Sequence, residues 1–144
     1  MEKSVVAFAP GRAELLGNHT DYNEGLVLAA AIDLGITIRA EKIDADVIEV
    51  ISEANRRRVT VSAKNLQRLE EEPWANYPIG VIKSLREAGF EIGGVQLRVS
   101  SNLPVGSGLS SSAAFEVATA VAALELFGSQ GARLVEENRP DRDR

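Results

Sequence analysis

The stretch from Asn102 to Ala114 reads Asn-Leu-Pro-Val-Gly-Ser-Gly-Leu-Ser-Ser-Ser-Ala-Ala and constrains this chain more than any other. A strand-like run, Val95 to Val99, leads into it, and an alanine-rich apolar run, Ala113 to Phe127, leaves it. The local order is therefore strand, glycine loop, helix. The first N–H groups of a helix have no intrahelical partner, and the aligned peptide dipoles leave partial positive charge there. An anion is the natural ligand. Gly106 and Gly108 permit positive φ and close approach of a ligand to the backbone. Ser110, Ser111 and Ser112 add hydroxyls that can cap the helix, bond phosphate oxygens or ligate a hard cation such as Mg²⁺. The spacing departs from a Walker P-loop, because Leu109 and Ser110 follow Gly108 where that motif needs Lys and Ser or Thr. It departs from a dinucleotide fingerprint too, with Ser111 in place of the third glycine. Two readings stay open on these residues: a nucleotide phosphate site, or a tight turn before a serine-capped structural helix.

Composition narrows what such a loop could serve. A chain of 144 residues fits one domain. Its net charge of −5 argues against nucleic acid as the main partner. With no cysteine and a single histidine, thiolate and zinc constellations are excluded, so any metal would be oxygen-ligated. The N-terminal apolar run is too short for a secretory leader, and no run approaches the ~18 residues of a membrane span. A cytoplasmic protein is expected.

Val5 to Ala9 reads as a strand closed by a Pro10-Gly11 turn. Arg12, Asn18, His19, Asp21 and Asn23 then gather a guanidinium, two amides, an imidazole and a carboxylate in a segment broken by Gly17 and Gly25, between two apolar runs. Such a set suits a polyhydroxylated ligand, whose hydroxyls need donors and acceptors in fixed directions. The competing reading is a satisfied turn network. Leu26 to Ile32 and Gly35 to Ala40 read as consecutive strands, with Asp33-Leu34 between them. Asp46 to Ser52 and Arg58 to Ser62 alternate apolar and polar residues around a turn. Together these predict an antiparallel sheet with one wet face. Arg56 to Arg58 fall in that turn and read as solvated charges. Helical spacing appears from Glu70 to Ala88, with Trp74 and Tyr77 as core residues or pocket walls. A broad apolar stripe marks the last helix. Beyond Gly128 the composition changes: Arg133 to Arg144 carries four Arg and four acidic residues. The expected division is a domain over 1–128 and a disordered charged tail over 129–144.

Two stretches carry a resemblance. Pro10 to Asn23, Pro-Gly-Arg-Ala-Glu-Leu-Leu-Gly-Asn-His-Thr-Asp-Tyr-Asn, resembles the galactokinase signature G-R-V-N-L-I-G-E-H-T-D-Y-N. The serine loop resembles the L-P-x-G-x-G-L-S-S-S-A motif shared by kinases of galactose, homoserine, mevalonate and phosphomevalonate. Trp74-Ala75-Asn76-Tyr77, Gly80-Val81 and Gly93-Gly94-Val95 match the intervening segment in order and spacing. The resemblance spans about residues 5 to 127 and implies an α+β fold, a mixed or antiparallel sheet packed with helices, corresponding to the N-terminal domain of these kinases. It implies ATP and Mg²⁺ as cofactors and galactose as substrate, phosphorylated at its anomeric hydroxyl. Arg12 would stabilise charge on the transferred phosphoryl group. Asn18, His19, Thr20 and Asp21 would line the sugar site. Gly106, Ser107, Gly108, Leu109, Ser110, Ser111 and Ser112 would wrap the ATP phosphates, with the Ser112 hydroxyl on Mg²⁺.

The chain departs from the pattern twice. The family usually has Glu where this chain has Asn18, exchanging an acceptor-only carboxylate for an amide that also donates, which bears on the choice among sugars. The sequence also stops at Arg144, whereas the family continues with a Mg²⁺-ligating Glu, an Asp in a Met-Asp-Gln segment that acts as base or orienter, and a C-terminal domain. A positioned base contributes roughly 10²–10⁴-fold. Truncation is the expectation, with self-association allowed through the apolar face it uncovers. The alternatives are a sugar- or nucleotide-binding fragment without turnover, and a kinase of a different sugar.

Overall fold

The computed structural model describes residues 4–17, 21–104 and 106–128, with only the backbone at Asp21. Five strands form one sheet in the order β1-β2-β5-β3-β4. They are β1 (Ser4–Leu16), β2 (Leu28–Lys42), β3 (Val47–Ser52), β4 (Arg58–Ser62) and β5 (Val95–Ser101), with helices α1 (Asn76–Glu87) and α2 (Ser111–Phe127). No helix among the described residues is long and apolar enough to cross a membrane.

The sheet is mixed rather than wholly antiparallel. β5 pairs antiparallel with β2 but parallel with β3. The alternation of β3 and β4 specifies a hairpin. It carries no information about β5, which arrives after α1 and inserts between β2 and β3. Alternation does set the faces: Val5, Ala7, Ile38, Ala40, Val50, Val95 and Leu97 point into the core, whereas Val6, Phe8 and Arg39 point out.

Two expected boundaries are corrected. Pro10-Gly11 is not a turn, since β1 runs through it to Leu16. Asp33-Leu34 does not separate two strands, since both runs belong to the single strand β2. The pairing passes from Pro10↔Gly35 to Arg12↔Ala31, so Ile32, Asp33 and Leu34 stand opposite Gly11 alone. The residues read as strand breakers make an irregularity inside a long hairpin. β1 lies at the sheet edge, where a proline without an N–H is tolerated.

The helical spacing from Glu70 yields a shorter helix. A 3₁₀ turn at Pro73–Ala75 precedes α1, and Pro78 falls in the first helical turn, where its missing N–H costs no bond. Asn76 ties this entry to the preceding segment: its Oδ1 accepts the Leu69 N–H and its Nδ2 donates to the Leu69 carbonyl, both at 2.8 Å. At the other end Gly89 takes φ 96°. Both helices lie on one sheet face, and α2 packs over β1 and β2 with α1 beside it. Ala114, Ala118, Ala122 and Ala123 are buried, so the α2 backbone sits close to the strands. The arginine turn is ion-paired at the surface. Arg57 Nη2 lies 2.5 Å from Glu72 Oε1, and Arg58 Nη1 lies 3.0 Å from Glu49 Oε1. The segment 129–144, expected as a charged tail, lies outside the described residues.

Candidate active site

The strand, loop and helix order around the serines is present, with α2 starting two residues earlier than its alanine run, at Ser111. The loop conformation goes beyond what glycine content suggested. Gly106, Gly108 and Ser110 take φ of 69°, 68° and 58°, while Ser107 and Leu109 between them do not. With positive φ at every second residue, the loop has the backbone alternation on which an anion-binding nest is built. It leads into a helix whose N-cap, Ser110, makes no side-chain capping bond. Ser110, Ser111 and Ser112 spend no hydroxyl on another described residue, and Ser111 and Ser112 are exposed. Ser107 differs, donating to the Pro104 carbonyl at 2.8 Å. The serine-capped structural helix therefore fails as an account of these hydroxyls.

Two anchors hold the loop, one to each strand of the long hairpin. Asn102 Oδ1 accepts the Gly35 N–H at 2.7 Å, while the Asn102 N–H donates to the Gly35 carbonyl at 3.3 Å. The Arg12 N–H donates to the Leu109 carbonyl at 2.9 Å. That contact requires glycine at the preceding position: a Cβ on Gly11 would stand 2.8 Å from Leu109 O and 2.6 Å from Leu103 Cδ2. Gly11, Asn102 and the left-handed Ser110 were not singled out for these roles by sequence. A polar residue at the strand end is the one signal that could have pointed to Asn102.

Arg12 is thus brought to the loop. Its side chain is exposed and forms no ion pair among the described residues. Asn18, His19 and Thr20 lie outside the described residues. Asp21 begins a 3₁₀ turn, Asp21–Asn23, in the connection from β1 to β2, and its side chain is not described. Of the sugar-site candidates only the Asp21 backbone is placed, on the connection that leaves the strand carrying Arg12. Trp74 and Tyr77 do not form one aromatic wall. Trp74 is partly buried and donates from Nε1 to Glu72 Oε2 at 2.6 Å. Tyr77 lies 6.0 Å from the Phe115 ring and lines an open groove of about 520 Å³ between α1 and α2.

The residues fit a phosphate-bearing ligand through the nest, the helix terminus and the free hydroxyls. No group of three or more His, Cys, Asp or Glu residues among the described residues could hold a metal by itself. Ser112 can offer one neutral oxygen, which suits Mg²⁺ when phosphate oxygens and water complete its shell.

This architecture and loop define the N-terminal domain of a GHMP-type small-molecule kinase. Residues 76–137 match the family model described as GHMP kinases N terminal domain, and residues 1–42 match the galactokinase galactose-binding signature. The chain is 44% identical over 120 residues to a galactokinase of Thermosipho africanus, covering 83% of this chain and 32% of that protein. To a Streptococcus suis galactokinase it is 42% identical over 137 residues, covering 92% of this chain and 35% of the other. A Lactococcus lactis galactokinase solved in complex with galactose superimposes with a TM-score of 0.74 at 33% identity, over 96% of this chain and 34% of that one. A mevalonate kinase shares the fold, with a TM-score of 0.74 at 19% identity, over 87% of this chain and 41% of that one. The chain belongs to the galactokinase family and corresponds to its N-terminal portion. It spans about a third of the length of the curated relatives it matches.

Proposed function

We propose that this chain forms the phosphate- and sugar-binding part of an ATP-dependent galactokinase. The reaction is transfer of the γ-phosphoryl group of ATP to the anomeric hydroxyl of galactose, giving galactose 1-phosphate and ADP. The observation that carries the reading is the 2.9 Å bond from the Arg12 N–H to the Leu109 carbonyl, which joins the strand of the sugar signature to the phosphate loop.

In this reading the N–H groups of Gly106 to Ser112 hold the nucleotide phosphates against the α2 terminus. Arg12 turns a permanently charged guanidinium fork toward charge that grows on the transferred group. Asn18, His19, Thr20 and Asp21 orient the sugar hydroxyls, and Ser112 holds Mg²⁺. When bound, Mg²⁺ neutralises phosphate charge and fixes the geometry of the phosphate chain. The hydroxyl proton is released to solvent as the phosphoryl group arrives, so the products are galactose 1-phosphate, ADP and a proton. Because the chain spans a third of its relatives, binding without turnover is the second reading, with catalysis requiring further residues.

The test is phosphoryl transfer from labelled ATP by the 144-residue chain with Mg²⁺ and a panel of sugars, beside Mg·ATP binding by calorimetry. Turnover with galactose, lost in Arg12→Ala, is the outcome expected of the kinase reading. Binding of Mg·ATP and galactose without turnover favours the second. A folded chain that binds neither ligand overturns both.

A further inference from the structure

We propose that Asn102 is a positioning residue for the nucleotide phosphates, because its uncharged carboxamide stands in for a backbone carbonyl where the chain leaves the sheet and enters the phosphate loop. The inference rests on the phosphate-site reading above and names a residue that acts on that site through the loop. β2 and β5 pair antiparallel as far as Ile36↔Ser101, and the same register sets Gly35 opposite Asn102. In a hydrogen-bonded antiparallel pair each residue donates its N–H to the other's carbonyl. Here the Asn102 N–H donates to the Gly35 carbonyl at 3.3 Å, but the Gly35 N–H donates to Asn102 Oδ1 at 2.7 Å. The side chain completes the pair and releases the Asn102 carbonyl from the ladder. The backbone can then turn away without leaving a strand N–H unpaired.

Both ends of the loop are thereby held on one stretch of the β1–β2 hairpin. Gly35 pairs with Pro10, and the Arg12 N–H, two residues further along β1, donates to the Leu109 carbonyl at 2.9 Å. The receiving end is closely packed: a Cβ on Gly35 would meet Ala9 O at 2.2 Å and Phe8 Cζ at 2.6 Å, so β1 and the Phe8 ring lie directly against it. Without the Asn102 tie the loop is held at its exit alone. Ordering it on a ligand then costs conformational entropy that the tie otherwise removes.

The absence of charge on this amide is the second part of the argument. An aspartate would accept the Gly35 N–H as an asparagine does, yet it would add a negative charge at the entry of a loop that takes an anion. From Asn102 to the loop exit at Leu109 the path is one hydrogen bond, one strand spacing, two residues of β1 and a second hydrogen bond. That lies well inside the roughly 30 Å over which a charge acts at about 0.01 M ionic strength. Asn55 supplies a matched control. Its Oδ1 accepts the Arg57 N–H at 3.1 Å in the turn between β3 and β4, at the opposite edge of the sheet.

The experiment is amide exchange by NMR together with Mg·ATP calorimetry on the 144-residue chain and on Asn102→Ala, Asn102→Asp and Asn55→Asp. Exchange of the Gly35 N–H should accelerate about fivefold to tenfold in Asn102→Ala and stay at the parent rate in Asn102→Asp. The Mg·ATP dissociation constant of Asn102→Ala should rise by a similar factor at about 0.01 M and at about 0.15 M ionic strength, because the loss is one of loop order. Asn102→Asp should bind about threefold or more weaker than Asn55→Asp at about 0.01 M, and most of that difference should vanish at about 0.15 M, where the Debye length is about 8 Å. Because Asn102→Asp keeps the bond, it carries the test even where Asn102→Ala does not fold. Mg·ATP binding by the parent with unchanged affinity in Asn102→Ala overturns this inference alone. So does an Asn102→Asp that matches Asn55→Asp at low salt. A parent chain that binds no Mg·ATP overturns the phosphate-site reading and this inference together.

Discussion

Gly11→Ala tests whether close packing joins the sugar-signature strand to the phosphate loop. The new methyl would meet Leu103 Cδ2 at 2.6 Å, Leu109 O at 2.8 Å and Ile32 Cδ1 at 3.4 Å. Leucine side chains can move by tenths of an ångström, but Leu109 O is a backbone atom already accepting the Arg12 N–H. Relief therefore requires either β1 or the loop to shift. Overpacking of this kind costs roughly 1–3 kcal/mol, and the backbone contact argues for about 2. In a chain of this size that lowers the melting temperature by roughly 4–8 °C. Gly80→Ala is the matched control. It lies inside α1, its Cβ meets nothing within 4 Å, and it should stabilise by about 0.5–1 kcal/mol through helix propensity. Urea unfolding followed by circular dichroism reads both signs in one experiment. Mg·ATP calorimetry should show weakened binding for Gly11→Ala alone. A Gly11→Ala midpoint within about 0.5 kcal/mol of the parent would refute the reasoning, because the loop and strand would then be free to separate.

Other substitutions probe other terms. Gly108→Ala meets no atom within 4 Å, so its expected cost of about 1–2 kcal/mol comes from φ 68° alone, and unchanged stability would show that the loop relaxes to negative φ. Arg86 donates from Nε to the Ile92 carbonyl at 2.8 Å and from Nη1 to the Ala63 carbonyl. Arg86→Met leaves those partly buried carbonyls without their charged donor, and chemical denaturation should show a loss of about 2–3 kcal/mol. Thr119 is buried and donates to the carbonyl of Phe115 one turn back at 2.8 Å. Thr119→Val should stay within about 1 kcal/mol by the same assay, since that carbonyl is already in the helix ladder. Asn18→Glu should shift sugar preference toward galactose in competition binding; an unchanged ranking would remove Asn18 as a determinant of sugar choice.

Much of the molecule was legible in one dimension because the information is local. Alternation in Val5 to Ala9, Arg58 to Ser62 and Val95 to Val99 reports which side chains face the core, whatever lies beside each strand. Gly106 and Gly108 next to a serine run announce a loop ahead of a helix, since few other residues accept φ near 68°. The two motifs were sufficient to identify the galactokinase family.

What required the tertiary structure depends on residues distant in sequence. Pro10-Gly11 and Asp33-Leu34 carry turn signals, yet neither makes a turn, because pairing along the rest of the hairpin outweighs a local preference on each strand. The place of β5 between β2 and β3 is set by burial of Val95, Leu97 and Val99, a nonlocal term absent from the alternation of β3 and β4. The same holds at the site. Sequence supplied Arg12 and Gly106 to Ser112 as separate candidates. Only folding brought the Arg12 N–H to the Leu109 carbonyl, over a glycine with no room for a methyl group. Local chemistry selects the residue types, while the distance between them is set by packing of segments nearly a hundred positions apart.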